Sequence, residues 1–459
     1  MVALAATDAD KSVELGTAEG KRAKPWPITV WGVKQTSTAV RRTYYVLTAG
    51  NTLAASLIWG INTIFLLDAG LTNFEAFAAN AFFTAGMVLF EIPTGVVADR
   101  WGRRASFLCG TLTLAATTGL YVLLWQLHSP FVWWAIVSAL LGLGFTFFSG
   151  ATEAWLVDAL TATRFDGHLE NVFARGHVIM GAMTLGGSVA GGYLAQLTNL
   201  GVPYLVRTAI LIGMFILALI MMDDLGFTPA RAGRPLAEVK RIVNSSVTHG
   251  LKVPAVRAIM LAGMFTSGIG LYVYYALQPH LLNLWGDQTA YGIAGLAAAV
   301  IAGAQIVGGL LTPRIRRAFR RRTSALLILT ALGVAMLTLI GLSDNFWVVV
   351  VLITLWQLAG AAAMPFRQAY LNGMIPSQQR ATILSFDSLI NSAGGIVAQP
   401  VLGKSADAWG YQVSYLVSAA GSALALPFIA RARQLNTPAD RQFGTPAKPK
   451  PDSAEEIDA

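Results

Sequence analysis

The chain has 459 residues, of which 55% are hydrophobic and only 12% charged, with a mean hydropathy of +0.57. A soluble domain carries roughly a quarter charged residues to cover its surface, so this composition excludes a soluble globular protein and points to a bilayer, with 45 glycines for close helix packing. The excess of 33 Lys and Arg over 24 Asp and Glu sits in short connections such as Arg100–Arg104 and Arg314–Arg322, which marks membrane topology rather than a nucleic-acid partner.

Residues 1–42 form a polar tail without a compact apolar core and cleavage site, so no cleaved signal peptide is expected. About 20 mostly apolar residues cross a bilayer, and the first six predicted spans are 43–67, 74–98, 105–127, 131–157, 172–199 and 203–222. Cys109, in the third, is the only cysteine, so no intrachain disulfide can form. Residues 223–254 are the longest polar interruption; Leu236, Val239, Ile242, Val243 and Val247 recur there at helical spacing, which predicts a surface amphipathic helix. A second group of spans follows at 256–284, 290–312, 323–342, 346–371, 381–403 and 410–430, and residues 433–459 are a polar tail. Two six-helix units are thus predicted, 43–222 and 255–432.

The loops Asp68–Asn73, Gln126–Pro130, Thr198–Val202 and Ser343–Asn345 contain no Lys or Arg. The other loops hold most of them, which predicts both termini on the cytoplasmic side of the plasma membrane. Arg207 and Lys404 are the main basic residues expected at the outer face, and Trp101, Trp155, Trp285 and Trp409 fall near expected interfaces. The halves repeat each other. Glu153-Ala154-Trp155-Leu156 parallels Gln368-Ala369-Tyr370-Leu371, Gly186-Gly187 parallels Gly394-Gly395, and Gly95 with its basic loop parallels Gly309 with its own, at offsets of 215, 208 and 214 residues. A nearly constant offset across six helices implies a duplicated unit in one orientation.

The most specific local pattern is Gly95-Val96-Val97-Ala98-Asp99-Arg100-Trp101-Gly102-Arg103-Arg104 between the second and third spans. Gly95 permits close helix approach, Gly102 a tight turn, and Asp99 can accept hydrogen bonds from a facing helix N-terminus. The segment resembles the loop signature of the major facilitator superfamily, G-x-x-x-D-R-x-G-R-[RK]. That resemblance covers residues 43–432 and implies an all-α membrane fold of twelve transmembrane helices in two pseudo-symmetric bundles, working by alternating access. It also implies a latch at Gly95, Asp99, Arg100, Gly102 and Arg103, with Asp158 as partner of Arg103. The second copy has Pro313 in place of Asp99, so the switch should be asymmetric. Gly187, Ser188, Gly191 and Gly192 resemble the fifth-helix signature of drug/proton antiporters, with Ser188 in place of its proline, and also read as a small-residue packing face. The fourth-helix arginine of those exporters has no counterpart in Ser138–Gly144.

Ionisable groups within spans default to functional hypotheses. Glu91, Glu153, Arg367 and Asp387 are candidate proton or ion-pair sites, with Glu153 and Asp387 preferred for proton carriage; Arg175 is a further intramembrane charge. His177 reads as a packing histidine. Asn51, Asn62, Tyr272, Tyr275, Gln278, Gln305, Gln357 and Asn391 are candidate cavity residues for an amphipathic solute. No nucleotide, metal or triad motif stands out, so neither an enzyme nor a cofactor is expected. The leading expectation is a monomeric secondary transporter exporting small amphipathic or hydrophobic compounds on the proton gradient. The alternatives are proton-symport uptake of a polar metabolite and a non-transporting receptor or scaffold.

Overall fold

A computed structural model describes residues 36–229, 251–375 and 380–441. The amphipathic helix expected in 236–247 and most of both polar tails lie outside the described residues. The first half contains α1 (Ser37–Trp59), α2 (Asn62–Asp68), α3 (Asn73–Trp101), α4 (Arg103–Gln126), α5 (Phe131–Thr146), α6 (Ala151–Ala162), α7 (Leu169–Leu197) and α8 (Gly201–Met221). The second contains α9 (Pro254–Trp285), α10 (Tyr291–Ala318), α11 (Arg322–Gly341), α12 (Phe346–Met374), α13 (Arg380–Ala423) and α14 (Ala425–Gln434).

Polar side chains at the sequence's turns set where several helices begin. Thr72 and Glu75 form a reciprocal capping box at α3, Asn199 accepts from the amides of Gly201 and Val202 at α8, and Asn345 accepts from those of Trp347 and Val348 at α12.

Three departures from uninterrupted spans turn these helices into twelve crossings. The first span bends by 50° between α1 and α2, and the fourth breaks between α5 and α6, where Gly150 has φ +68°. The 44 residues of α13 would extend about 66 Å at 1.5 Å per residue, twice a hydrocarbon core of about 30 Å. Gly410, at φ 81°, folds it into two limbs, and the second limb continues into α14.

Packing repeats between the halves. α1 packs on α7, α3 on α5 and α4 on α8; correspondingly α9 packs on the first limb of α13, α10 on α12, and α11 on the second limb with α14. The bundles meet along two seams, α3 with α13 and α7 with α10, which the same pseudo-two-fold operation exchanges. Small residues make the close approaches possible. A Cβ on Gly191 would lie 1.8 Å from the Leu57 carbonyl oxygen, and one on Gly394 would lie 2.1 Å from that of Met264.

Trp101, Trp285 and Trp409 are exposed near helix ends, as expected for interface residues, whereas Trp155 is buried and donates to the Asp223 carbonyl. Arg207 also departs from expectation: it is 1% exposed, inside the protein rather than at an outer face.

Candidate functional site

The two ends of the molecule are built differently. At the end carrying the α3–α4 turn, Gly102 (φ +104°) links the helices, and a Cβ there would lie 2.1 Å from Asp224 Oδ2. Glycine is therefore required both by conformation and by space. Asp224 Oδ1 accepts from the Arg104 amide at 2.8 Å, capping α4, and Arg104 Nη2 donates to the Leu219 carbonyl at 2.6 Å. Arg103 pairs with Asp99 at 2.8 Å, one helical turn away. Asp158 is close enough to feel the charge of Arg103 but is not its ion-pair partner, so the expected pairing is replaced by Asp99. Arg100 is exposed. Gly95 and its counterpart Gly309 both face open space, with nothing within 4 Å of a built Cβ; the close approach expected of Gly95 is not made in this conformation.

Deeper on the same side, Ser149, in the break between α5 and α6, donates to the exposed Glu91 at 2.7 Å. Glu153 is half-buried and near enough to influence Tyr44, while Arg175 and His177 are exposed on α7. In the second bundle, Arg367 grips Asp387 with both Nη atoms, at 2.7 and 2.6 Å, and Asn391 completes the cluster at 3.4 and 3.5 Å. Gly263 on α9 makes room for it, since a Cβ there would lie 2.3 Å from Arg367 Nη2. Both oxygens of Asp387 thus accept from the Arg367 guanidinium.

At the opposite end the bundles are sealed together. Asp407, late in the first limb of α13, accepts from the amides of Asn73 and Phe74 at 2.9 and 2.8 Å, capping α3 across the seam. Gln196, at the end of α7, accepts from the Gly292 amide at 2.9 Å at the start of α10. Gln278 on α9 enters the break in the first span, accepting from the Thr63 amide at 2.9 Å and donating to the Trp59 carbonyl at 2.7 Å. Phe77 packs at a tilt against Tyr272 across the same boundary, with ring centres 4.5 Å apart. Gly192 and Gly295 touch through their backbones.

These contacts reassign several expected cavity residues. Gln278 and Tyr272 are buried in the seal, and the hydroxyl of Tyr272 is shared with Ser414. Asn62 is buried within the first bundle, donating to Asn80 and accepting from Tyr204. Asn51, Tyr275, Gln357 and Asn391 are half-buried and Gln305 is exposed, so these five keep surface that a solute can reach. Gly187 packs against Ser56 and Gly191 against Leu57, while Ser188 is buried beside them. The sequence reading missed Asp407 because it ended the eleventh span at residue 403, whereas α13 continues helically to the turn at Gly410.

An apolar groove of about 870 Å³ opens on the outer flank of the α3–α13 seam, lined by Phe82, Pro400, Val401 and Trp409 with Lys404 at its edge.

A sequence profile of the Major Facilitator Superfamily matches residues 44–334 and 260–456. The chain is 24% identical over 387 residues to YxaM of Bacillus subtilis, an uncharacterised transporter of that superfamily, covering 82% of this chain and 92% of the relative. It is 26% identical over 336 residues to the multidrug resistance protein MdtG of Citrobacter koseri, covering 71% and 76%. Its fold superposes on the crystal structure of the nucleoside transporter NupG with a TM-score of 0.70 at 12% identity, over 85% of this chain and 98% of that one. With the twelve crossings and paired bundles, the profile match across both halves establishes that this multi-pass membrane protein, a small-molecule transporter rather than an enzyme, belongs to the Major Facilitator Superfamily.

Proposed function

We propose that the protein is a proton-driven exporter of small amphipathic or hydrophobic compounds in the plasma membrane, held here in its inward-open state. The observation that carries the reading is the contrast between the ends: polar caps and close glycine contacts join the bundles at one end, while Gly95 and Gly309 face open space at the other. The concentration of Lys and Arg at the open end supports a cytoplasmic orientation for that end and for both termini. Alternating access then consists of breaking the far-end caps and closing the α3–α4 turn against the second bundle, with Asp99, Arg100 and Arg103 forming the latch. Export is favoured by the likeness to MdtG, named a multidrug resistance protein, and the half-buried Asn51, Tyr275 and Gln357 offer amides and a phenol to an amphipathic solute. Glu91 and Glu153, on the open side without an ion-pair partner among the described residues, are the carboxylates favoured for proton exchange.

The test is release of a preloaded fluorescent amphipathic dye from cells with and without expression, alongside a protonophore and Asp99→Asn. Faster release that collapses under both treatments is expected. Release unaffected by expression, with the protein present in the membrane, overturns dye export. Accelerated release that survives the protonophore overturns proton coupling.

A further inference from the structure

Arg207 has no part in the seal or the latch. It lies on α8 six residues from Gly201, about 9 Å inside the sealed end, and is 1% exposed. Its guanidinium lies over the ring of Phe145, 5.7 Å from the centroid. The ionisable groups near enough to act on it are Tyr121 and Tyr204 of its own bundle and Tyr275 of α9, across the bundle boundary. No carboxylate of the described residues pairs with it, and its Nε has no hydrogen-bond partner. Two of the three tyrosine hydroxyls are engaged elsewhere, Tyr121 with Ser138 and Tyr204 with Asn62.

A guanidinium unpaired at this depth is costly and is retained where it binds something. The same chain shows the structural alternative, because Arg367 is given a bidentate carboxylate in Asp387. Beside Arg207 stand the half-buried rings of Phe145 and Tyr275, with Phe83 edge-on to Phe145 at 5.4 Å, aromatic surface on which an apolar body can pack.

We propose that Arg207 binds the anionic group of the substrate, a carboxylate, sulfonate or phosphate carried on an apolar or aromatic body. This rests on the export reading above and narrows its amphipathic compounds to anions. The planar fork of arginine takes two oxygens of such a group at once, and the Tyr275 hydroxyl can donate to it from the second bundle. Occupancy would thus be felt by both bundles, and a cationic solute would be repelled.

The test uses purified full-length protein in thermal-shift titrations with naphthalene-1-sulfonate and its size-matched counterpart 1-naphthylmethylammonium. Saturable protection by the sulfonate and none by the ammonium is expected. Arg207→Gln should weaken sulfonate binding about ten- to a hundredfold, as loss of a charge-assisted contact does, and Arg207→Lys less. Tyr275→Phe, a milder change on the other bundle, should weaken it severalfold, so the inference does not hang on one variant folding. Equal protection by both probes, no protection by either, or sulfonate binding unchanged in Arg207→Gln overturns it. Undiminished export of an anionic dye by Arg207→Gln overturns the anion site and leaves export standing. Sulfonate binding that depends on Arg207, without any export, does the reverse.

Discussion

Gln278 offers the most direct control over which end of the molecule is open. The bend between α1 and α2 leaves a backbone acceptor at Trp59 and a donor at Thr63, and this one side chain from the other bundle serves both, at 2.7 and 2.9 Å. Gln278→Met keeps the length of the side chain and removes both bonds. While the far end is closed, an amide and a carbonyl are then left without that partner, at about 1–3 kcal/mol for each buried unsatisfied group. When the far end opens, water reaches both groups in either protein, so the cost falls on the closed state alone. At a combined cost of about 2 kcal/mol, the low end of that range, the ratio of open to closed molecules rises about thirtyfold.

The assay is a pulsed electron–electron distance measurement between spin labels at His128 and Gln288, exposed positions on the two bundles at the sealed end. The lone Cys109 is first replaced by Ser. Gln278→Met should move population to longer distances, and dye release should fall as the inward-open state is lost. An unchanged distance distribution in a folded variant would refute the assignment of Gln278 as a clamp across the seal.

Other contacts give sharper tests of packing than of gating. Gly191→Ala drives a methyl group to 1.8 Å from a backbone oxygen, whereas Gly186 on the same helix has nothing within 4 Å; Gly191→Ala should cost about 1–3 kcal/mol, as overpacking does, and Gly186→Ala nearly nothing, read as thermal denaturation in detergent. Asp387→Asn leaves Arg367 without its counter-charge and should destabilise by about 3 kcal/mol; adding Arg367→Gln should recover part of that, and strict additivity in the double variant would contradict the pairing. Asp440, wholly buried, caps α11 through the amide and hydroxyl of Thr323 at 2.8 and 2.9 Å, so Asp440→Ala should cost about 1–2 kcal/mol of melting stability. For Asp224, burial raises the carboxyl above the usual range, and the hydrogen bond from Arg104 opposes this. Its folded form therefore holds the proton more tightly than the unfolded chain, and stability from this group is present at low pH and lost as pH rises through the raised value. Asp224→Asn should flatten that part of a melting-temperature profile against pH.

The crossings were legible because about 20 apolar residues between polar turns have one stable solution in lipid. The turn between α3 and α4 was legible because Gly102 and the charges around it form a contiguous pattern. What escaped the sequence depends on partners distant in the chain. Gly60 follows Trp59 at the break in the first span, but a glycine alone does not reveal that the freed backbone groups are satisfied by Gln278, whose partner Thr63 lies 215 positions away. Gln278 and Tyr272 read as cavity residues because an amide or phenol in a span has the same sequence signature whether it faces a solute or another helix. Asp158, implied by the resemblance as the partner of Arg103, yields to Asp99 one turn away, and the acid that caps α4 is Asp224, at the start of the long polar interruption 120 positions on. Arg207 stands only five residues beyond the loop ending at Val202, and its proximity to that loop concealed an inward orientation set by Phe145 and Tyr204.

The duplicated architecture extends to individual hydrogen bonds, and its inequalities matter for motion. In each bundle an acid following the sixth helix caps the third, Asp224 on α4 and Asp440 on α11. An arginine at the start of the capped helix then reaches back to a carbonyl, Arg104 to Leu219 and Arg322 to Ala439. Each bundle is thereby tied within itself, which favours rocking of rigid units over rearrangement inside them. The far-end seal is duplicated as well: Asp407 caps α3 as Gln196 caps α10. The copies differ in chemistry, since a carboxylate receiving two amides makes charge-assisted bonds about twice as strong as a neutral amide oxygen receiving one. The cap on α3 is therefore the stronger of the two. The same helix α3 ends in Asp99 and the turn at Gly102, where the second half has Pro313. One helix of 29 residues thus carries the stronger far-end tie at its N-terminus and the latch sequence at its C-terminus, a placement that suits a rigid lever held at one end or the other.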